Sequence, residues 1–181
     1  MKKKVWLFAV AIALVLCCAV GGTLAWLSAK TDPINNTFTV GDISIQLTES
    51  DNLDLKMVPG KTLTKDPAVT VKAGSEACWL FVKVETSSNF GTFMTYDIAG
   101  GWTALAGVAG VYYRQVPAAA DDAVYPVLKD NQVIVKEEVT KQQLQAVSTD
   151  LPTMTFTAYA VQQDSIADAI TAWGKVAPTT T

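Results

Sequence analysis

Hydrophobic and polar residues alternate with a period of two from Thr37 to Leu47, as they do in half-buried β-strands, and further β-type runs follow along the chain. Turn-forming pairs such as Pro59-Gly60 and Gly100-Gly101 separate the alternating runs. The runs are Thr37 to Leu47 with a glycine bulge at Gly41, Leu53 to Val58, Ala68 to Lys72, Trp79 to Thr86, Phe93 to Ile98, Gly110 to Val116, Val124 to Leu128, Gln132 to Val135 and Met154 to Gln162. Short strands about ten residues apart predict an all-β sandwich or barrel.

A segment near the C-terminus follows the helical period instead. Its apolar positions on one face are Ile166, Ile170 and Trp173. Ser165 is the expected N-cap, with Asp168 three residues on, and Gly174 is the expected stop. We expect this short helix to fold over an open end of the sandwich, anchored by Trp173. A weaker helical pattern spans Glu137 to Val147.

Residues 1–29 have the pattern of an export signal. Lys2, Lys3 and Lys4 precede an apolar run, and the run ends in Gly21-Gly22-Thr23-Leu24-Ala25. Thr23 and Ala25 fit the small-residue positions before a signal-peptidase cut, which predicts a mature chain beginning at Trp26. A cut after Ala29 is less favoured, because Leu27 is bulky. A retained membrane anchor is the alternative, since about 20 apolar residues span a bilayer.

These patterns divide the chain into four parts. They are a signal peptide at 1–25, an N-terminal segment with the first-strand region at 26–40, a β-sandwich domain at 41–175 and a flexible tail at 176–181. Cleavage removes three of the 14 basic residues and none of the 17 acidic ones, so the mature formal charge is −6. An acidic chain repels phosphate, which disfavours nucleic acid as a partner. We expect membrane contact only through the uncleaved signal.

The residue types needed for common catalytic sites are scarce. The chain contains no histidine, the commonest general base and zinc ligand. The carboxylate groups at Glu49, Asp51 and Asp54, and at Asp121-Asp122, lack the spacing of a calcium loop. We therefore expect no enzyme, no catalytic residue, no metal and no cofactor. A hydrolase that uses these carboxylates is a distant alternative.

Only Cys78 remains after cleavage, so the mature chain cannot form an intramolecular disulfide. We expect Cys78 to be a small buried apolar residue. An exported protein with so little cysteine is typical of Gram-positive bacteria. The aromatic residues are expected to pack in the core, and an exposed carbohydrate-binding platform is the alternative. They are Trp79, Trp102, Tyr112, Tyr113 and Tyr159.

Three blocks of the sequence resemble one family of exported proteins. The first block is the signal together with Asn36-Thr37-Phe38-Thr39-Val40-Gly41. The second is Val58 to Asp66, which contains the proline-glycine turn and the strand that follows it. The third is Thr157 to Gln162 together with the helix that ends in Ala172-Trp173. The blocks are similar to TasA and camelysin-type proteins, which are exported through the signal peptidase SipW. The resemblance implies an immunoglobulin-like or jelly-roll β-sandwich and secretion to the cell surface or extracellular matrix.

The resemblance also implies a structural function. It implies assembly into biofilm-matrix fibres by self-association or with related matrix subunits, the mature N-terminus adding as a strand to a neighbouring subunit. Carried onto this chain, the candidate donor strand is Thr37, Phe38, Thr39 and Val40, within residues 26–40. Pro33 interrupts backbone pairing in this segment. A monomeric surface adhesin, or a carbohydrate- or protein-binding module, is the alternative function. The metalloprotease activity described for camelysins is not expected, because histidine is absent.

Overall fold

The computed structural model describes residues 42–50, 56–118, 120–147 and 150–178. This part of the chain is mostly β-strand, and every strand pairing in it is antiparallel. The strands are β1 (Ile45–Thr48), β2 (Thr62–Thr64), β3 (Ala68–Val71), β4 (Cys78–Thr86), β5 (Met94–Thr95), β6 (Thr103–Ala104), β7 (Val111–Val116), β8 (Ala123–Pro126), β9 (Gln132–Val135) and β10 (Met154–Gln162). The helices are α1 (Phe90–Phe93), α2 (Lys141–Ala146) and α3 (Ala169–Val176), with a 3₁₀ turn at Lys129–Asn131. The all-β prediction is confirmed.

The strands form three sheets. Sheet I has the order β1–β3–β8, sheet II has the order β10–β4–β7–β6, and sheet III has the order β2–β9–β5. In sheet II, β4 lies at the centre, because it pairs with β10 from Cys78 to Thr86 and with β7 from Cys78 to Lys83. Its sequence explains this position, since the run from Cys78 to Val82 is apolar and fully or almost fully buried on both faces.

Sheets I and II share one hydrophobic core. Val69 and Val71 of β3 lie in the same buried cluster as Leu80 and Val82 of β4, and all four side chains are inaccessible to solvent. Sheet III has a separate core with α1, built from residues such as Leu63, Phe93 and Val135. Close packing of alternate side chains from facing strands is the arrangement that the period-two pattern predicts.

The C-terminal helix differs from the prediction in its start, its end and its position. Asp168, rather than Ser165, is the N-cap, and its side chain accepts a hydrogen bond from the Thr171 backbone N–H. The helix continues through Gly174 to Val176. It covers a face of sheet II rather than an open end, because Trp173 packs on Phe81 and Tyr159. Trp173 is the expected anchor, whereas Ile170 is half exposed.

Other differences are local. Residues 93–98 do not form one strand, because Phe90 and Phe93 are both buried on one side of α1. The described part of the run Leu53 to Val58 is not a strand, and β6 was not predicted. The weak helical pattern at 137–147 corresponds to α2, and Thr140 caps the start of this helix with a capping box.

No helix in the described ranges is long and apolar enough to cross a membrane.

Candidate functional site

The outer edge of β10 is the feature of this fold that is best suited to binding. β10 is nine residues long and lies at the end of sheet II, where it pairs only with β4 among the described strands. The pairing runs one to one from Met154↔Thr86 to Gln162↔Cys78, without a bulge. At about 3.3 Å per residue, β10 offers about 30 Å of strand edge.

β10 also lacks the residues that usually protect such an edge. Proteins prevent edge-to-edge pairing with lysine, proline, bulges or very short strands. The sequence of β10, MTFTAYAVQ, contains neither a charged residue nor proline. Edge strand β6, on the opposite side of sheet II, has only two residues. A long edge without such residues has the features of edges to which a further strand adds through backbone hydrogen bonds.

A cleft of about 330 Å³ lies beside this edge, between β1 and the start of β10. Leu47 of β1 and Phe156 of β10 contribute its apolar walls, and Pro67 lines it as well. Both Leu47 and Phe156 pack against the core that sheets I and II share. A strand added to β10 would have alternate side chains directed toward the two faces of sheet II, so this cleft could receive apolar ones.

An ion pair lies at one end of this cleft. The Lys65 ammonium is 2.5 Å from a Glu49 carboxylate oxygen and 5.5 Å from the centre of the Phe156 ring. The Lys65 side chain is 15% exposed and the Glu49 side chain is 32% exposed. Glu49 thus pairs with a lysine of its own chain. Asp51 and Asp54, the other members of that predicted carboxylate group, lie outside the described residues.

The other acidic residues near the predicted groups stabilise loops. Asp122 accepts hydrogen bonds from the Ala73 backbone N–H and the Lys72 ammonium, both at 2.9 Å. These bonds hold the pKa of Asp122 below its usual value. Asp66 accepts from the backbone N–H and hydroxyl of Ser50, and the hydroxyl bond is the largest cause of its lowered pKa. We assign both carboxylates a role in loop structure.

The predicted aromatic residues do not form one platform. Trp79, Tyr113 and Tyr159 belong to the core between sheet II and α3. Trp102 and Tyr112 pack against the core on the opposite face of sheet II. Their separation follows from the alternation of side chains in strands, since neighbouring residues such as Tyr112 and Tyr113 point to opposite faces.

Trp102 is engaged in contacts within the chain. Its indole N–H donates to the Pro126 carbonyl at 2.8 Å. The Arg114 guanidinium lies 5.4 Å from the Trp102 ring and 4.0 Å from the Tyr125 ring. This stack of cation and aromatic rings occupies a ring face that a sugar would need.

The remaining sequence predictions concern the export signal, the donor strand and the cysteine. Thr23, Ala25 and Trp26 of the expected cleavage site lie outside the described residues, as does the donor strand Thr37 to Val40. Cys78 is fully buried, as predicted, and burial raises the pKa of its thiol to about 11. The thiolate is the nucleophilic form, so Cys78 is unreactive at neutral pH.

The β10 edge is a candidate site that sequence reasoning did not identify. The run Met154 to Gln162 was predicted as a strand with the bounds that the structure has, and its lack of charge was visible. Its position at the end of a sheet depends on its pairing with β4, whose partner residues lie at least 68 residues earlier in the chain. Period and composition carry no information on that pairing.

Comparison with known proteins gives a match to a family model. The model of a family described as camelysin metallo-endopeptidase matches residues 1–88, just under half of the chain. The resemblance to the TasA and camelysin family is therefore confirmed over these residues. No curated protein matches the chain, and no solved structure matches it.

The described residues do not fit the metal that this family description implies. The chain has no histidine. No three side chains of cysteine, aspartate or glutamate lie together in the described ranges in a way that could hold a metal ion. Catalytic zinc needs three such protein ligands and an open position. We therefore derive no reaction step through a metal.

Proposed function

We propose, since the camelysin family model matches residues 1–88, that this chain is an exported, non-enzymatic structural protein of a bacterial cell surface or biofilm matrix. In this proposal, residues 26–40 of one copy add as a strand to the β10 edge of another copy. The observation that supports it most is the nine-residue edge of β10, which has no charge, proline or bulge. The immunoglobulin-like or jelly-roll topology implied by the resemblance is part of the proposal.

The sequence of the donor segment is suited to this edge. Thr37, Phe38, Thr39 and Val40 alternate polar and apolar side chains, so Phe38 and Val40 point to the same face of a strand. That face would direct both side chains toward the cleft between Leu47 and Phe156. Pro33 lacks a backbone N–H, which limits continuous pairing to the residues that follow it.

Strand addition between unlike surfaces has a consequence for assembly. The donor lies in one part of the chain and the acceptor edge in another, so the contact is heterologous. A heterologous contact that does not close into a ring produces an open filament. Signal cleavage before Trp26, by a SipW-type peptidase, would release the donor from the membrane and allow assembly outside the cell.

Removal of the donor tests this proposal. Purified protein beginning at Trp26 should form filaments visible by electron microscopy, and protein beginning at Gly41 should remain monomeric. Circular dichroism of the two proteins should show the same folded domain. Filaments of equal yield from both proteins would show that residues 26–40 are not the donor.

Charge on the acceptor edge provides a second test of the same contact. Thr155→Lys places a cation at an exposed position of β10 and should raise the concentration needed for filament formation by about tenfold, because lysine blocks edge pairing. Thr62→Lys is the matched control, since Thr62 is an exposed threonine in edge strand β2. Equal inhibition by the two variants would contradict the assignment of β10.

Zinc-dependent proteolysis by the purified protein would contradict the non-enzymatic function.

A further inference from the structure

Arg114 is the only arginine in the sequence, and it is held differently from the lysines. It lies on β7, and its guanidinium carbon is 4.0 Å from the centre of the Tyr125 ring and 5.4 Å from that of Trp102. The ion pairs between described residues all use lysine instead. Among the described residues, Arg114 therefore has aromatic neighbours and no carboxylate partner.

The hydrogen-bond donors of this guanidinium are unused. Its Nε is the one side-chain nitrogen or oxygen of the described ranges that is buried without a hydrogen-bond partner. Nη1 and Nη2 also lack a described acceptor, so they are accessible rather than buried. Proteins seldom leave such donors unpaired, and a bound ion or ligand is one reason for an exception.

The residues around Arg114 fix its position before any ligand binds. The Trp102 indole N–H donates to the Pro126 carbonyl at 2.8 Å, which holds the ring beside the guanidinium. Gly101 has a φ of +85°, and a Cβ atom there would lie 3.1 Å from Nη2. Glycine thus lets the backbone approach the guanidinium more closely than any other residue would. A group that is already oriented loses little entropy on binding.

The chemistry of the site favours a carboxylate. Burial of Nε removes water from part of the cation, and attraction to an anion is stronger where less water screens it. The Nη1 and Nη2 N–H groups form a planar fork that matches the two oxygens of a carboxylate. Acidic residues outnumber basic ones by 17 to 14, so the chain repels a singly charged carboxylate less than a doubly charged phosphate.

We propose that Arg114 is a binding site for a carboxylate group, which Nη1 and Nη2 hold beside the partly exposed Trp102 ring. A free small organic acid and an acidic side chain of a second copy both carry this group, and the experiment below separates them. The inference is independent of strand addition, because it requires neither residues 26–40 nor the β10 edge. Either proposal can therefore fail without the other.

Saturation-transfer NMR with propionate tests the proposal on the full chain purified from the cells that produce it. This method detects weak ligands whether the protein is monomeric or assembled. We expect saturable propionate binding, about tenfold tighter than that of propanamide, which has the same shape without the charge. Methylphosphonate, an anion of tetrahedral shape, should bind more weakly than propionate.

Three substitutions locate the binding. Arg114→Lys keeps the charge but removes the planar fork, and it should weaken propionate binding by about tenfold. Gly101→Ala should also weaken it, because the added Cβ displaces the guanidinium. Gly74→Ala is the matched control, since Gly74 has a φ of +81° and a Cβ there would meet no atom within 4 Å. Gly74→Ala should leave binding unchanged, and circular dichroism should show that all three proteins are folded.

Four results would overturn the proposal. They are the absence of saturable propionate binding, equal binding of propanamide, tighter binding of methylphosphonate, and equal effects of Gly101→Ala and Gly74→Ala. Sedimentation velocity identifies the source of the carboxylate. Dissociation of protein assemblies by propionate, but not by propanamide, would show that an acidic side chain of a second copy occupies the site. Propionate binding without dissociation would assign the site to a free organic acid.

Discussion

At the residue scale, Gly110 shows how one backbone position joins two strands of sheet II. Its φ is +72°, and its carbonyl accepts a hydrogen bond from the Val84 backbone N–H at 2.8 Å. A Cβ atom at Gly110 would lie 2.6 Å from the Val84 carbonyl oxygen, which is backbone and cannot rotate away. Glycine is therefore required here for its missing side chain as well as for its conformation.

Gly107 allows these two requirements to be separated. Its φ is +77°, but a Cβ atom there would meet no other atom within 4 Å. We expect Gly107→Ala to lower the free energy of unfolding by about 1 kcal/mol. Gly110→Ala should lower it by about 2–4 kcal/mol, because a backbone clash is added. Urea unfolding measures both, and equal losses would show that the contact with Val84 is unimportant.

At the element scale, α3 depends on one buried side chain more than on its own helical propensity. The helix has only eight residues, and isolated helices of this length are unstable in water. Trp173 provides the tertiary contacts, with its ring 5.3 Å from Phe81 and 5.2 Å from Tyr159. The Trp79 indole N–H also donates to the Ile166 carbonyl and holds the loop before the helix.

Substitutions on the two faces of α3 should therefore differ greatly. Trp173→Ala should lower the free energy of unfolding by about 3–5 kcal/mol, because it leaves a cavity between α3 and sheet II. Ile170→Ala, on the same helix, should change it by less than about 0.5 kcal/mol, since Ile170 is half exposed. Thermal or urea unfolding followed by circular dichroism compares them. A similar loss in both proteins would contradict the packing of α3.

At the scale of the whole molecule, acidic side chains in several loops link stability to pH. Asp66, Asp122 and Asp168 all have a pKa below the usual value, because each accepts hydrogen bonds from nearby hydroxyl, ammonium or backbone N–H groups. The unfolded chain lacks these bonds and binds protons at higher pH. Each carboxylate therefore stabilises the fold above its unfolded pKa, and this stabilisation is lost as pH falls through its folded pKa.

We expect the melting temperature to fall as pH decreases from about 4 to about 2. A protein in which all three aspartates are replaced by asparagine should show a smaller fall over this range. It should also be less stable than the unaltered protein at pH 7, since the charged acceptors are gone. An unchanged acid dependence in this variant would assign the effect to other carboxylates. The three sites are exposed, so the individual effects should be small.

Local sequence patterns predicted the bounds of some strands correctly and those of others wrongly. β9 and β10 have the predicted bounds, because both runs are rich in the β-branched and aromatic residues that favour strands. Phe93 to Ile98 was wrongly predicted as one strand, because Phe90 and Phe93 have the spacing of one helical turn and enter the core of sheet III together. Short apolar runs fit either period, so tertiary packing decides between them.

The sequence by itself determined that this chain is mostly β-strand, that Cys78 is buried and that its first 88 residues resemble camelysin-type proteins. These properties depend on local pattern, since alternation and composition act over a few residues. Only the tertiary structure decided that β10 lies at an edge, that α3 covers a face of sheet II and that Arg114 lies beside Trp102 and Tyr125. Such properties depend on pairing between segments far apart in the chain, which local preferences do not specify.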